Sequence, residues 1–450
     1  MSLNGAITPG TGVDIRSKLM AKYGFDPYTL KNFYTNHLTA AKIASGGAQI
    51  LCMGDSIFAG TDSVNRNVNS IPGVIRSQLR TYFNQPVGCI GFVPCKYLGT
   101  ATDAGPATIV SGSITNLSSF TTCGAQGYRL DSVAGTTPNA ISFTFTNSTR
   151  VPQLVVVNRD GATKTGTWTL TSNGGYSASG TFVYQNLTDG DFTEVILNLT
   201  GAPTTLVATD TYTLTINGRI SDAGTQCWFA GIITYGAEWN SGIKVHNIAA
   251  SGTKLFDFDN SAGGMYRADG NATYEGYVMA NNVTIFCSSS SATSGVTRTG
   301  LVICNWGTND QGNYGGTVAE SYGNIGLAAV ASAKKGYEIY ESYLGRFLED
   351  LAGQTSRPSV LMVDVPIAST RGPQLRMFHK AKEEICKAMG VGYINLSKIY
   401  TPGDRTLTLP AAHDLDSIHF TTAGYLQYRT DIVTCITKGY EWWGMEGQYL

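Results

Sequence analysis

The stretch Ile50-Leu51-Cys52-Met53-Gly54-Asp55-Ser56 decides how the chain is read. Four apolar residues in succession suit a strand buried on both faces. The Gly-Asp-Ser that follows reads as a sharp turn, able to expose a serine at the carboxyl end of a parallel sheet. A serine hydroxyl is a weak nucleophile until a histidine takes its proton and a carboxylate orients that histidine. Far down the chain stands Asp416-Ser417-Ile418-His419, the sole Asp-x-x-His of the sequence, which supplies such a pair about one helical turn apart. Between the two lies Val302-Ile303-Cys304-Asn305-Trp306-Gly307-Thr308-Asn309-Asp310, a second apolar run ending in Gly-x-Asn-Asp.

Each motif alone has a plain explanation. Gly-Asp-Ser is a common turn, Asp-x-x-His a common capping pair, and Gly-x-Asn-Asp an ordinary loop. Their order and their places after apolar runs give the set its weight. In that order they resemble the SGNH (GDSL-type) hydrolase family, whose members are esterases, lipases and carbohydrate deacetylases. Ile57 departs from the leucine in the family's name, but both are apolar.

The rest of the chain supports an α/β reading. Runs at 245–249, 283–286, 301–305 and 360–365 suit buried strands, and helical stretches at 325–351 and 374–389 alternate with them. Such alternation implies a parallel sheet with helices on both faces. A further helix is expected over 72–83, after a polar loop at 60–69, and another after His419, capped by Thr421 or Thr422. Residues 14–23 and 28–43 read as helices separated by Asp26-Pro27, packing on the body or on a neighbouring chain.

Near residue 105 the pattern changes. Short alternating runs at 141–146, 154–157, 165–171, 181–184, 192–199 and 212–216 are separated by turn clusters such as Ser172-Asn173-Gly174-Gly175. Period-two alternation at this spacing marks an antiparallel sandwich. The expected fold is therefore an SGNH-like three-layer α/β/α body with a parallel sheet, carrying an inserted all-β, jelly-roll-like sandwich. The corresponding division is a helical extension at 1–45, a hydrolase body at 46–104 and 238–437, the insertion at 105–237, and a tail at 438–450. The tail, with Trp442, Trp443 and Tyr449, reads as packing on the body or as an exposed aromatic docking segment.

Composition narrows the classes. With 31 Lys and Arg against 32 Asp and Glu, the net charge of -1 argues against a nucleic-acid partner. Charged residues are 14% of the chain, against about 25% in ordinary soluble proteins. The N-terminus shows no basic and apolar signal-peptide pattern, and no run reaches the roughly 18 apolar residues of a membrane span. Nine cysteines, several inside apolar runs (Cys52, Cys287, Cys304, Cys435), suit buried thiols better than a disulfide frame. These features fit assembly in a reducing compartment, followed by an extracellular or virion-associated life.

The resemblance implies named roles. Ser56 is the nucleophile, His419 the general base and Asp416 its orienting carboxylate. The oxyanion hole comprises the backbone N–H of Ser56, a backbone N–H from Gly252 (Gly242 being a rival), and the side-chain amide of Asn309. Asp55 reads as structural, His246 as a buried hydrogen-bonded histidine, His37 as a packed one, and His413 and Asp414 as loop or substrate-contact residues. No cofactor is implied, and no His/Cys/Asp cluster has metal-binding spacing. The implied substrate is an acetylated polysaccharide or glycan, because a sandwich inserted at this point would overhang the active-site face. Homo-oligomer or virion assembly is compatible with the composition. Two other readings stay open: a non-catalytic structural or receptor-binding virion protein on a hydrolase fold, and a lipase or arylesterase.

Overall fold

A computed structural model describes residues 11–39, 43, 47–60, 69–85, 91–94, 107–111, 114–116, 126–129, 139–145, 150–158, 163–184, 193–218, 227–234, 242–249, 253–257, 264–267, 286–287, 299–310, 329–364, 372–400, 412–413, 415 and 419–445. The chain opens with helix α1 (Thr11–Tyr23), a 3-10 turn (Pro27–Leu30) and helix α2 (Lys31–Asn36). Asp26 separates them by accepting the Tyr28 N–H at 3.1 Å and the Arg16 guanidinium at 3.0 and 2.7 Å. The single helix expected over 28–43 is broken because Leu30 leaves helical geometry (φ −101°, ψ 14°) and His37 ends α2.

Strand β1 (Ala48–Gly54) follows, then the short helix α3 (Ser56–Ala59) and helix α4 (Ile71–Tyr82). Ser70 caps α4 by accepting the Gly73 N–H at 3.1 Å, and Pro72 fits the first turn, where its missing donor costs nothing. Next come β2 (Gly91–Pro94), β3 (Ala107–Ser111), β4 (Ile114–Asn116), β5 (Gln126–Arg129), β6 (Ala140–Phe145) and β7 (Gln153–Asn158). They are followed by β8 (Lys164–Ser172), β9 (Ser177–Tyr184), β10 (Thr193–Leu197), β11 (Tyr212–Asn217) and β12 (Cys227–Thr234). The chain then runs through β13 (Ile243–Asn247), β14 (Lys254–Asp257), β15 (Gly264–Arg267), β16 (Leu301–Asn305), α5 (Ala329–Ala352) and β17 (Ser359–Asp364). It ends with α6 (Gly372–Met389), β18 (Gly392–Asn395), α7 (Ser397–Tyr400) and α8 (Thr422–Met445).

The central sheet has the order β13-β1-β16-β17-β18, and every pairing in it is parallel. All seven residues of β1 and all five of β16 are buried, which is why these segments read as unbroken apolar runs. Alternate residues feed opposite layers. Ile50 and Cys52 join Leu301, Ile303 and the helical residues Ile75, Tyr425 and Ile432. Leu51 and Met53 instead join Val302, Cys304 and residues Leu344, Phe347 and Ala381 of the other helices. Each such Leu or Ile contributes roughly 1.5–3 kcal/mol by leaving water. The result is three layers, α/β/α.

Two antiparallel sheets stand beside this body. One has the order β3-β6-β11-β8-β9, and the other β10-β7-β12-β5-β4 with β2 also paired to β12. Strand β8 shows why they face each other: Trp168 and Leu170 point inward, while Thr165, Thr167, Thr169 and Thr171 are exposed. The inward set packs with Phe143, Leu214, Ile216, Phe229 and Ile232 in one core. Strand β2, upstream of residue 105, belongs to this assembly through its pairing with β12. It also ties the assembly to the body: the Phe92 N–H donates to His246 Nδ1 at 3.1 Å, and its ring meets Phe286 at 5.8 Å.

Two further differences from the sequence reading are local. The run at 283–286 lies outside the described residues except for Phe286, which with Cys287 is helical rather than extended. Helix α8 continues to Met445, past residue 438, so the aromatic tail is largely helix. Trp442 is buried in it beneath the Arg16 guanidinium, 5.4 Å from the ring centroid. Residues 446–450, Tyr449 among them, lie outside the described residues. Cys52, Cys287, Cys304, Cys386 and Cys435 are buried free thiols. Among the described residues no helix is long and apolar enough to cross a membrane.

Candidate active site

The site is built where β1 leaves the sheet. Gly54 has φ 139°, and a Cβ placed on it would stand 2.5 Å from the backbone oxygen of Asn305 on the neighbouring strand. Only glycine permits that approach. Asp55 then caps α3, its Oδ1 accepting the Ile57 N–H at 2.9 Å and the Asn305 amide at 3.3 Å. Burial pushes the Asp55 carboxyl up, while hydrogen bonds from Thr308 and the Ile57 N–H and the charge of Lys382 pull it down. Asp55 is a structural residue of the turn.

This turn delivers Ser56 to the carboxyl edge of the sheet, 4% exposed, with its Oγ 3.0 Å from Nε2 of His419. That distance lets the imidazole take the hydroxyl proton. His419 is fixed from both sides of its own turn. The Leu415 N–H donates to the His419 carbonyl at 3.0 Å, and the Thr421 N–H donates to the His413 carbonyl at 3.0 Å. Thr421, not Thr422, caps α8, its Oγ1 accepting the Gly424 N–H at 3.2 Å. Next to the histidine, Phe420 is fully buried against Tyr428 at 4.5 Å and Tyr425 at 5.3 Å.

The loop after β16 approaches the same edge. Gly307 (φ 118°) allows the tight turn, and its N–H donates to Asp310 Oδ2 at 3.1 Å. The other oxygen of Asp310 accepts the Leu255 N–H at 2.9 Å, which staples this loop to β14. Asn309 Nδ2 donates to the Thr253 carbonyl at 3.0 Å. That bond engages one of the two amide N–H groups. Thr253 Oγ1 in turn donates to the Gly54 carbonyl at 2.7 Å. The three loops are thus cross-linked by Thr253, Asn309 and Asp310.

Asp416 and Gly252 lie outside the described residues, although Leu415 and Thr253 beside them are bonded into the site. Gly242 stands at the other end of the sheet, where its carbonyl accepts the Ala48 N–H at 2.8 Å at the start of β1. It is remote from Ser56. His246 is buried, bonded to the Phe92 N–H and to Gln49 Oε1 at 2.9 Å. Burial, helped by Lys244, lowers its pKa to about 3, so it is a neutral core residue. His37 stacks on Phe33 and packs over Gly300, at the amino end of β16. His413 lies edge-on to Tyr428 at 5.6 Å and Tyr400 at 6.4 Å, and Asp414 is outside the described residues. Among the described residues no group of three or more His, Cys, Asp or Glu is placed to hold a metal ion.

Sequence reasoning gave no role to Thr253, Thr308 or Asp310. All three adjoin residues it singled out, Gly252 and Asn309, so adjacency was the available signal. It also missed Lys382, for which a lysine within a helix gives none.

A solved structure shares this architecture. A peptidoglycan O-acetylesterase superposes with a TM-score of 0.55 over 92% of this chain and 96% of its own, at 15% identity. That is a likeness of fold: an SGNH-like α/β/α body with additional antiparallel sheets. An acetyl xylan esterase (Est2A) from Butyrivibrio proteoclasticus matches at 10% identity and a TM-score of 0.29, covering 78% of this chain and 98% of that one. A family two carbohydrate esterase from Cellvibrio japonicus matches at 9% and 0.28, with the same coverage. Those two scores are too low to bear on this chain. No protein-family model matches the sequence, and no curated protein does.

Proposed function

We propose that this protein is a serine esterase that removes small acyl groups, above all acetyl, from hydroxyls of a carbohydrate such as a cell-surface polysaccharide. The observation that carries the reading is Ser56 Oγ at 3.0 Å from His419 Nε2, on the carboxyl edge of a parallel sheet. In this reading Ser56 Oγ attacks the ester carbonyl as His419 takes its proton, and Asp416 holds the imidazole in the productive tautomer. The oxyanion is met by the N–H groups of Ser56 and Gly252 and by the Asn309 amide. Collapse of the intermediate breaks the bond between the acyl carbon and the sugar oxygen, which takes the proton from His419 and leaves as a hydroxyl, and an acyl-enzyme remains. Water activated by His419 then releases the acid.

The carbohydrate part of the reading draws on the antiparallel sheets joined to the body through β2. It draws also on the fold likeness to a peptidoglycan O-acetylesterase across nearly the whole chain. Acetate release from a panel of acetylated glycans, together with acetyl, butyryl and octanoyl aryl esters, tests it. The expected result is turnover of acetyl esters that falls with chain length and acetate release from at least one glycan. A preference for octanoyl esters would make the protein a lipase, and no turnover of any ester would leave a non-catalytic protein.

Asn309→Ala should lower kcat roughly 10²-fold with a smaller change in KM, as removal of an oxyanion donor does. An unchanged kcat with a raised KM would make Asn309 a contact to the ground-state substrate instead.

A further inference from the structure

Two strands along the sheet from β1, β17 ends on Asp364, which is fully buried. Helix α6 sets the ammonium of Lys382, 1% exposed, against its Oδ1. Tyr393 of β18 donates its hydroxyl to the other carboxylate oxygen, and His379 Nε2 lies 3.5 Å from Oδ1. Burying such a pair is costly, and well-packed apolar side chains often stabilise a core as well or better. The pair also reaches outward. Lys382 Nζ donates to the carbonyl of Trp306 at 2.6 Å and lies 3.6 Å from where a Cβ on Gly307 would stand. Trp306 and Gly307 open the loop that carries Asn309. At its far end that loop is held by Asp310, which takes the N–H groups of Gly307 and Leu255. The near end is held by Lys382.

We propose that Lys382, aimed by Asp364 and Tyr393, is a positioning residue for the reaction: by clamping the Trp306 carbonyl it fixes the Asn309 amide at the oxyanion. The inference rests on the reading of Asn309 as an oxyanion donor. An ammonium is suited to this work because it can satisfy a carboxylate and a carbonyl at once, with a further N–H to spare. Its charge is also felt at Asp55, in the turn that carries Ser56.

The test is a mutant cycle on an acetyl ester. Lys382→Met with Asp364→Asn removes donor and charge together, so that no uncompensated carboxylate stays buried. The cycle comprises the parent, this paired variant, Asn309→Ala, and the paired variant carrying Asn309→Ala as well. For all four proteins kcat, KM and cooperative melting are measured. With Asn309 present, kcat should fall about 10- to 30-fold and KM change less than about 3-fold, a partial loss of one oxyanion donor. On the Asn309→Ala background the same pair should lower kcat less than about 3-fold, because residues acting through one group are not additive. An equal loss in both backgrounds, or an undiminished kcat in a folded variant, overturns the inference alone. An Asn309→Ala protein with wild-type kcat overturns the oxyanion reading and this inference with it. Should the paired variant fail to melt cooperatively, Tyr393→Phe loosens the same carboxylate without removing a charge. It should lower kcat about 3-fold, only when Asn309 is present, and an effect independent of residue 309 overturns the inference.

Discussion

Ser56→Ala is expected to abolish turnover of acetyl esters while leaving the fold in place. The substitution removes one oxygen atom at a site that is already 4% exposed, so neither packing volume nor burial changes much. The turn does not depend on that hydroxyl. Gly54 sets the close approach to Asn305, and Asp55 caps the short helix through the Ile57 N–H. What disappears is the atom that His419 faces at 3.0 Å. By analogy with other serine nucleophiles the loss in kcat should be of order 10³-fold or more. Circular dichroism and the melting temperature should match the parent. A folded variant that retains more than about a tenth of parental activity would show that another group performs the attack.

The elements most legible in the sequence are those whose burial is uniform. β1 and β16 pack both faces against helices, so the run Ile50-Leu51-Cys52-Met53 and its counterpart at 301–305 carry no polar interruption before their last residues. β8 was legible for the opposite reason, since one face is core and the other is threonine. Ser56 and His419 were legible as a pair because the order of their motifs singled both out, and the fold brings the two side chains to 3.0 Å. What escaped depends on partners distant in sequence. β2 is four residues long and becomes a strand only by pairing with β12, far along the chain. The break at Leu30 falls on a fully buried residue that is not a helix breaker, so no local signal marks it. The aromatic end of α8 resembled a tail because Trp442 finds its cover in Arg16, at the other end of the chain.

The cross-links among the three loops around Ser56 have a physical consequence of their own. Asp310, Thr253 and Asn309 each join two loops at the carboxyl edge of the sheet, so the loops cannot shift independently. Parallel strands deliver their carboxyl ends to one edge, and on the proposed reading short polar side chains there lock the oxyanion donors before substrate arrives. Preorganised donors of this kind lose no energy to reorganisation when charge develops.

His419→Ala should be as damaging as loss of the serine, about 10³-fold in kcat, but with a distinguishing signature. The hydroxyl of Ser56 remains, and the imidazole is replaced by a cavity beside it. The surrounding turn should persist, because it is held by the His413–Thr421 and Leu415–His419 backbone bonds and by buried Phe420, none of which involve the ring. Free imidazole added to the assay should therefore restore part of the activity of His419→Ala by acting as the missing base, and should do nothing for Ser56→Ala. If the variant keeps more than about a tenth of parental kcat, His419 is not the base. If activity is lost in a folded protein and Asp416→Ala shows a milder loss, the order of dependence matches a carboxylate that orients the histidine, since other contacts can partly hold the ring. A loss at Asp416 equal to that at His419 would instead mean that the carboxylate's charge, and not only its grip on the imidazole, is needed as the imidazolium forms.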